Sequence, residues 1–115
     1  MTGSTAGIGA AIASNLAREG ARVIVNGRAS ADVDRAVAAL KAESGGDLIA
    51  FAGDLGTAAA AEELARRHPE VDILVNNPGI FEPKAFEDIP DADWMRFFEV
   101  NVLSGCASRA PTCRR

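Results

Sequence analysis

Hydrophobic and polar positions along the chain alternate between two periods. Ile8, Ala11, Ile12 and Leu16 recur at helical spacing, which predicts a helix over 8–19 with Gly20 as its stop. Val23, Ile24 and Val25 follow as a short β-branched run of the kind buried in a parallel sheet. Ser30 is placed as the cap of a second helix over 31–43, with Val33, Val37 and Leu40 as its apolar stripe and Gly45-Gly46 as its end. The cycle then repeats. A strand is expected over 48–52, and a helix capped by Thr57 runs to about Arg67 with Leu64 as its largest apolar residue. Val71-Asp72-Ile73-Leu74-Val75 is expected to be a buried strand, ended by Asn76-Asn77-Pro78-Gly79. A loop over 80–90, rich in Pro and acidic residues, leads to a helix carrying Trp94, Phe97, Phe98 and Val100.

Strands separated by helices of about 10–15 residues imply βαβ units, so the expected fold is α/β, a doubly wound parallel sheet. Three strands are visible and none precedes the first helix. In such sheets the strand feeding the first turn is normally central. The sheet is therefore expected to be truncated, with its first strand missing.

Composition narrows the function classes. A chain of 115 residues is one domain at most, and 48% hydrophobic with 24% charged residues excludes a disordered chain or a collagen-like fibre. No run of about 18 apolar residues suggests a membrane span, and no basic start followed by an apolar stretch suggests a signal peptide. A cytoplasmic location is the expectation. The net charge of −4 argues against nucleic acid or an anionic membrane as partner. Cys106 and Cys113 lack metal or redox spacing, and His68, the single histidine, is expected to be a solvated helix-end residue, so no metal site is expected.

The candidate chemistry begins at Thr2-Gly3-Ser4-Thr5-Ala6-Gly7-Ile8-Gly9, where three glycines open the first helix. Glycines permit a tight turn and let a diphosphate approach the backbone, where a helix N-terminus presents free N–H groups and partial positive charge. Glycine loops also serve as plain turns, and the spacing here is G-x-x-x-G-x-G. Followed by helix, strand and helix, it favours a nucleotide site.

The segment resembles the T-G-x-x-x-G-x-G fingerprint of the short-chain dehydrogenases/reductases. The likeness continues in order through Asn26-Gly27-Arg28, Asp54-Leu55, Asn76-Asn77-Pro78-Gly79 and Asn101, and covers residues 2 to about 105. It implies a Rossmann-like fold and a nicotinamide dinucleotide as ligand. Thr2, Gly3, Ser4, Gly7, Ile8 and Gly9 would form the cofactor turn, with Asn26, Arg28, Asp54, Leu55, Asn76 and Gly79 completing the cleft. NAD-preferring members usually place an Asp at the end of the second strand to accept from the adenosine ribose; here Gly27 stands there and Arg28 follows, a guanidinium suited to a 2′-phosphate. NADP(H) is favoured over NAD(H), with an ordinary surface arginine as the alternative. The resemblance sets Asp54 on the adenine amino group and Leu55 beside the ring, although an Asp after a strand is by itself more often a turn former or helix cap. Pro78 replaces the family's Ala. Asn101 matches the asparagine that bends its helix and holds a water in the proton relay; without the family it would be a surface helix residue.

Other features suggest structure. Trp94, Phe97 and Phe98 are expected to pack in a core or subunit interface. Glu82, Glu87, Asp88, Asp91 and Asp93 bracket helix starts and are expected to be solvated or to stabilise helix dipoles.

The resemblance also implies a Ser and a Tyr-x-x-x-Lys beyond the asparagine, and this chain holds no Tyr. The Lys would lower the Tyr pKa so that the phenol exchanges a proton with an alcohol or ketone oxygen. The chain is therefore expected to be inactive by itself, a partial dinucleotide-binding domain over 1–105 that lacks the C-terminal half. The tail over 106–115 has no apolar stripe and holds Pro111, which is disfavoured inside a helix by about 3 kcal/mol. Shifted by one base with GC-rich codons, it reads as an amphipathic helix, so a frameshift near Gly105 is expected, as is a start set too late at Met1. Sequencing the locus tests both: a printed frame with no Ser and Tyr-x-x-x-Lys in any frame downstream rejects the shift. The expectation is thus an oxidoreductase fragment whose parent acts on an unidentified alcohol or ketone, with a possible oligomer. The alternatives are a non-catalytic nucleotide-binding module and a truncated product without function.

Overall fold

Val23, Ile24 and Val25 belong to strand β1 (Val23–Gly27), which pairs in parallel with β2 (Leu48–Ala52) in register from Val23 opposite Leu48 to Gly27 opposite Ala52. The computed structural model describes residues 1–105, and the expected tail over 106–115 lies outside the described residues. Helix α1 (Gly7–Arg18) precedes β1, α2 (Ser30–Ser44) connects the two strands, and α3 (Ala58–Arg67) follows β2. Side chains alternate across the strands, so helices cover both faces. Val23 and Val25 pack with Ala13 and Ala17 of α1 and Val33, Ala36 and Leu40 of α2. On the other face, Phe51, Leu55 and Ala61 form a second cluster with Ile24, Ala60 and Leu64 against it. This is the doubly wound α/β arrangement expected, with a sheet of two strands among the described residues.

The local signals mostly act as anticipated, with differences that packing explains. The buried face of α1 is Gly9, Ala13, Ser14 and Ala17, while Ile8 is 75% exposed. Small residues let α1 lie close to β1 and to the end of α2; a Cβ on Gly46 would stand 2.7 Å from that of Ala17. Helix α2 starts at Ser30 itself rather than after it, with Ala29 at the cap position, and the Ser30 hydroxyl donates to Asp34 Oδ2 at 3.2 Å. Gly45 ends α2 at φ 66°, and Thr57 caps α3 by accepting the Ala60 N–H at 3.4 Å. His68 is the half-buried residue that closes α3.

The expected strand at 71–75 is not one. Its backbone makes one bond of the ladder type, from Thr2 N–H to Val75 O at 3.0 Å, while the Met1 ammonium donates to Ile24 O at 3.1 Å on the β1 side. Between β1 and this segment lies a groove of about 510 Å³, lined by Leu16, Val23, Ile24, Leu64, Leu74 and Val75 among others. An apolar run becomes a strand only where a neighbour offers a row of backbone partners. Met1 and Thr2 offer too few.

Helix α4 (Asp91–Phe98) runs into a π-helical segment, Glu99–Leu103. Trp94, Met95 and Phe98 are about half exposed, so the expected core packing is not made by the described residues; Phe86 meets Trp94 edge-on at 6.3 Å. Instead α4 is tethered to the preceding loop by charge. Lys84 donates to Asp93 at 2.5 Å, and Arg96 pairs with Glu82. Two of the acids expected to be solvated are thus ion-paired, which holds the Asp93 carboxyl below its usual pKa and raises that of Lys84.

Candidate functional site

The parallel pair brings the C-terminal ends of β1 and β2 to one edge, and the Gly53 N–H continues the ladder to Gly27 O at 2.9 Å. The glycine turn is fastened to that edge by buried polar groups. The Ser4 N–H donates to Asn26 O at 2.8 Å, and the Asn26 N–H donates to Ser4 Oγ at 2.9 Å. The Asn26 side chain accepts from the Gly3 N–H at 3.2 Å and donates to Phe51 O at 3.2 Å and Gly53 O at 3.0 Å. One amide thereby ties the glycine turn, β1 and the loop after β2 together. On the other side, Thr2 Oγ1 donates to Val75 O at 3.2 Å and accepts the Asn77 N–H at 2.7 Å, while Asn77 Nδ2 donates to Gly3 O at 3.1 Å. Thr2, Ser4 and Asn26 are all buried, so their side chains shape the turn and present nothing to a ligand.

What the turn presents is backbone. Gly3 and Gly7 both have φ of 56°, a region that side-chain-bearing residues disfavour. A Cβ on Gly9 would fall 2.1 Å from Gly3 O, so only glycine lets α1 start this close under the turn. At Gly7 a Cβ would meet nothing within 4 Å, leaving open space over the helix start. No side chain caps α1 at Ala6 and its first turn has no acidic residue. The N–H groups there, with the positive end of the helix dipole, suit an anion such as a diphosphate. Ile8 stands exposed beside them.

At the end of β1, Arg28 is exposed, and no described residue pairs with its guanidinium. Asp54 follows β2 and is exposed; one carboxylate oxygen accepts the Gly56 N–H at 3.0 Å, and its carbonyl accepts from the Thr57 N–H at 3.0 Å. It is therefore a turn former, as an isolated Asp after a strand would be, with Oδ2 unengaged by described residues. Leu55 is 3% exposed in the second cluster, where packing against Phe51 and Ala61 holds it beneath the loop that carries Asp54.

Asn76 is exposed after the 71–75 segment, with Gly105 near its amide. Asn101 lies in the π-helical segment, where its Oδ1 accepts the Ile80 N–H at 2.8 Å and its Nδ2 donates to Ile80 O at 3.2 Å. Such widened turns are frequent at functional sites. This one clamps the chain directly after Gly79, where a Cβ would approach Asn101 Oδ1 to 3.2 Å. Gly53 pairs with Gly27 and Thr5 lies over Gly27, so Arg28, Asp54 and the glycine turn stand at one end of the strands. Two residues were missed. Asn77, part of the Asn-Asn-Pro-Gly motif, is the clamp on the turn, and Thr5 lies over Gly27; nothing in spacing alone marks Thr5.

The short chain dehydrogenase family model matches residues 1–108. The uncharacterized oxidoreductase YvaG of Bacillus subtilis (strain 168) is 56% identical over 106 residues, which is 91% of this chain and 40% of that protein. Among solved structures, L-sorbose reductase from Gluconobacter frateurii complexed with NADPH and L-sorbose superposes with a TM-score of 0.87 at 28% identity, over 97% of this chain and 44% of that one. An F189W actinorhodin polyketide ketoreductase with NADPH gives 0.88 at 29% identity, over 98% and 44%. The chain spans about 40% of the length of the curated relatives it matches.

Proposed function

The chain belongs to the short-chain dehydrogenase family, and on that premise we propose that it carries the dinucleotide-binding part of an oxidoreductase site and prefers NADP(H) to NAD(H). The observation that carries this reading is an uncapped, acid-free helix start at Gly7 together with an Arg28 guanidinium that no described residue pairs with, at the same end of the strands. The N–H groups opening α1 hold the diphosphate, with Gly3, Gly7 and Gly9 allowing its approach. Arg28 grips the 2′-phosphate. Asp54 Oδ2 accepts from the adenine amino group, while Leu55 supports that loop from beneath. Ile8 gives apolar contact, and Asn76, Gly79 and the Asn101 clamp shape the far end of the cleft. Thr2, Ser4 and Asn26 hold the turn in place.

A bound nicotinamide dinucleotide supplies the hydride that such enzymes exchange with an alcohol or ketone. The 115 residues hold no Tyr, and the proposal for them is dinucleotide binding. That the two solved relatives named above were studied with NADPH supports the cofactor class. A cytoplasmic location belongs to the same reading.

Titrating NADPH and NADH into the purified chain, followed by nicotinamide fluorescence, tests the proposal. We expect saturable NADPH binding, weaker NADH binding, and loss of that difference in Arg28→Ala, by about 10-fold or more for a charge-assisted contact. Absence of saturation with about millimolar NADPH, or equal affinity for both, rejects it.

A further inference from the structure

We infer that Asn26-Gly27 is a deamidation site that the fold holds closed, so that time spent unfolded is converted into an irreversible backbone modification. The inference is independent of the cofactor reading above.

The chain has five asparagines, Asn15, Asn26, Asn76, Asn77 and Asn101, and Asn26 is the one that a glycine follows. The reaction starts on that glycine. Its backbone nitrogen, having lost a proton to hydroxide, attacks Asn26 Cγ. The new C–N bond closes a cyclic imide, while the Cγ–Nδ2 bond breaks and the amide nitrogen takes up a proton and leaves as ammonia. Water then opens the ring. Cleavage at Cγ leaves an aspartate in the normal backbone; cleavage at the backbone carbonyl leaves an isoaspartate, with the chain running through the side-chain carbon. Glycine favours closure because its nitrogen is uncrowded and its backbone is free to turn. The other asparagines precede Leu16, Asn77, Pro78 and Val102, and Pro78 has no N–H to lose.

In the fold neither reacting group is free. Gly27 ends β1 in register with Ala52, and its carbonyl accepts the Gly53 N–H at 2.9 Å. Asn26 is 5% exposed. Its Nδ2 donates to Phe51 O at 3.2 Å and Gly53 O at 3.0 Å, and its Oδ1 accepts the Gly3 N–H at 3.2 Å. Turning Cγ toward the Gly27 nitrogen breaks these bonds, and hydroxide must reach a strand packed between two helix layers. The imide therefore forms from the opened chain.

Neither product fits back. An ionised carboxylate only accepts hydrogen bonds, so in this buried place it would set a charged oxygen against the Phe51 and Gly53 carbonyls. Protonated, it has a single O–H for the two of them. Isoaspartate adds a backbone atom to β1 and spoils its register with β2. Each event thus removes a molecule from the pool that refolds.

The test is to incubate the chain in mildly alkaline buffer with and without unfolding guanidinium chloride. Mass spectrometry of the peptide that holds Asn26 follows the exchange of NH₂ for OH, and circular dichroism after dilution gives the fraction that refolds. We expect modification at least about 100-fold slower in the folded chain, as for a reaction that waits on opening of the core. In denaturant, the refoldable fraction should decay with the same time course as Asn26. Gly27→Ala, whose Cβ would meet Thr5 Cγ2 at 2.5 Å in the fold, is compared in denaturant alone, where that contact is absent; it should slow the modification severalfold. Asn26→Asp, the first product made directly, should lower the unfolding midpoint or prevent folding. Equal rates with and without denaturant overturn the closed site. Full refolding of modified chains, an unchanged midpoint in Asn26→Asp, or modification in denaturant no faster at Asn26 than at the other asparagines overturns the inference.

Discussion

Adding one methyl group at Gly9 separates two physical effects of opposite sign. Gly9 is the third residue of α1, and in a helix Ala is favoured over Gly by about 1 kcal/mol. By propensity alone, Gly9→Ala stabilises the chain. The structure predicts the reverse. The new Cβ would lie 2.1 Å from Gly3 O and 2.8 Å from Asn77 Nδ2. Carbon–oxygen contacts in proteins close to about 3.3 Å, so turn and helix must part by about 1.2 Å. Gly3 cannot drift freely, because Asn77 Nδ2 holds its carbonyl at 3.1 Å and Asn26 Oδ1 holds its N–H at 3.2 Å. Overpacking of this kind costs about 1–3 kcal/mol, and a clash on an anchored backbone atom belongs at the upper end. Against the gain of about 1 kcal/mol, the net loss is about 2 kcal/mol. Urea unfolding followed by far-UV circular dichroism reads this as a lower midpoint at unchanged slope. An unchanged or raised midpoint in Gly9→Ala would refute the close approach of the turn to α1.

Other perturbations have separable outcomes. Asn26→Ala leaves the Gly3 N–H and the Phe51 and Gly53 carbonyls without their partner and should destabilise by about 3 kcal/mol in the same unfolding assay. Asn101→Ala removes both bonds to Ile80; amide exchange should rise at Ile80 and Phe81 while α1 and α2 remain protected. Asp93 is held below its usual pKa first by the hydrogen bond from Lys84, whose own pKa is raised. The Asp93 contribution is present above the unfolded carboxyl value near 3.9 and fades as pH falls through the lower folded value; the Lys84 contribution fades above about 10.4. The fluorescence of the single Trp, Trp94, should therefore change on acidification below about pH 4, and Asp93→Asn should abolish that transition.

Periodicity and punctuation made much of the fold legible. Gly45 and Thr57 stand at helix boundaries where sequence placed them, and the runs at β1 and β2 pair in parallel across α2. The failures share one cause, which is that burial depends on neighbours. The 71–75 run reads as a buried strand because it is apolar, yet a ladder needs a partner, and Met1 and Thr2 supply only isolated bonds. Ile8 fits the stripe of α1 by spacing, but the close seat of α1 selects Ala13 and Ala17 for the core and leaves Ile8 outward. Spacing likewise cannot tell that Thr2 and Ser4 spend their hydroxyls inside the scaffold, since Val75, Asn77 and Asn26, which bond them, lie 22 or more residues away. The rim residues were visible as a set through the family resemblance. Their division into scaffold and contact required the hydrogen bonds.

The central claim is that the turn at Gly3–Gly9, Arg28 and Asp54 form one dinucleotide rim. Amide-resolved NMR during titration with NADP⁺ tests it most directly. The account predicts saturable shifts concentrated at residues 3–9, 28–29 and 54–56, with the largest at the N–H groups opening α1. Saturable shifts confined elsewhere, or none at these amides with ligand in excess, would contradict it.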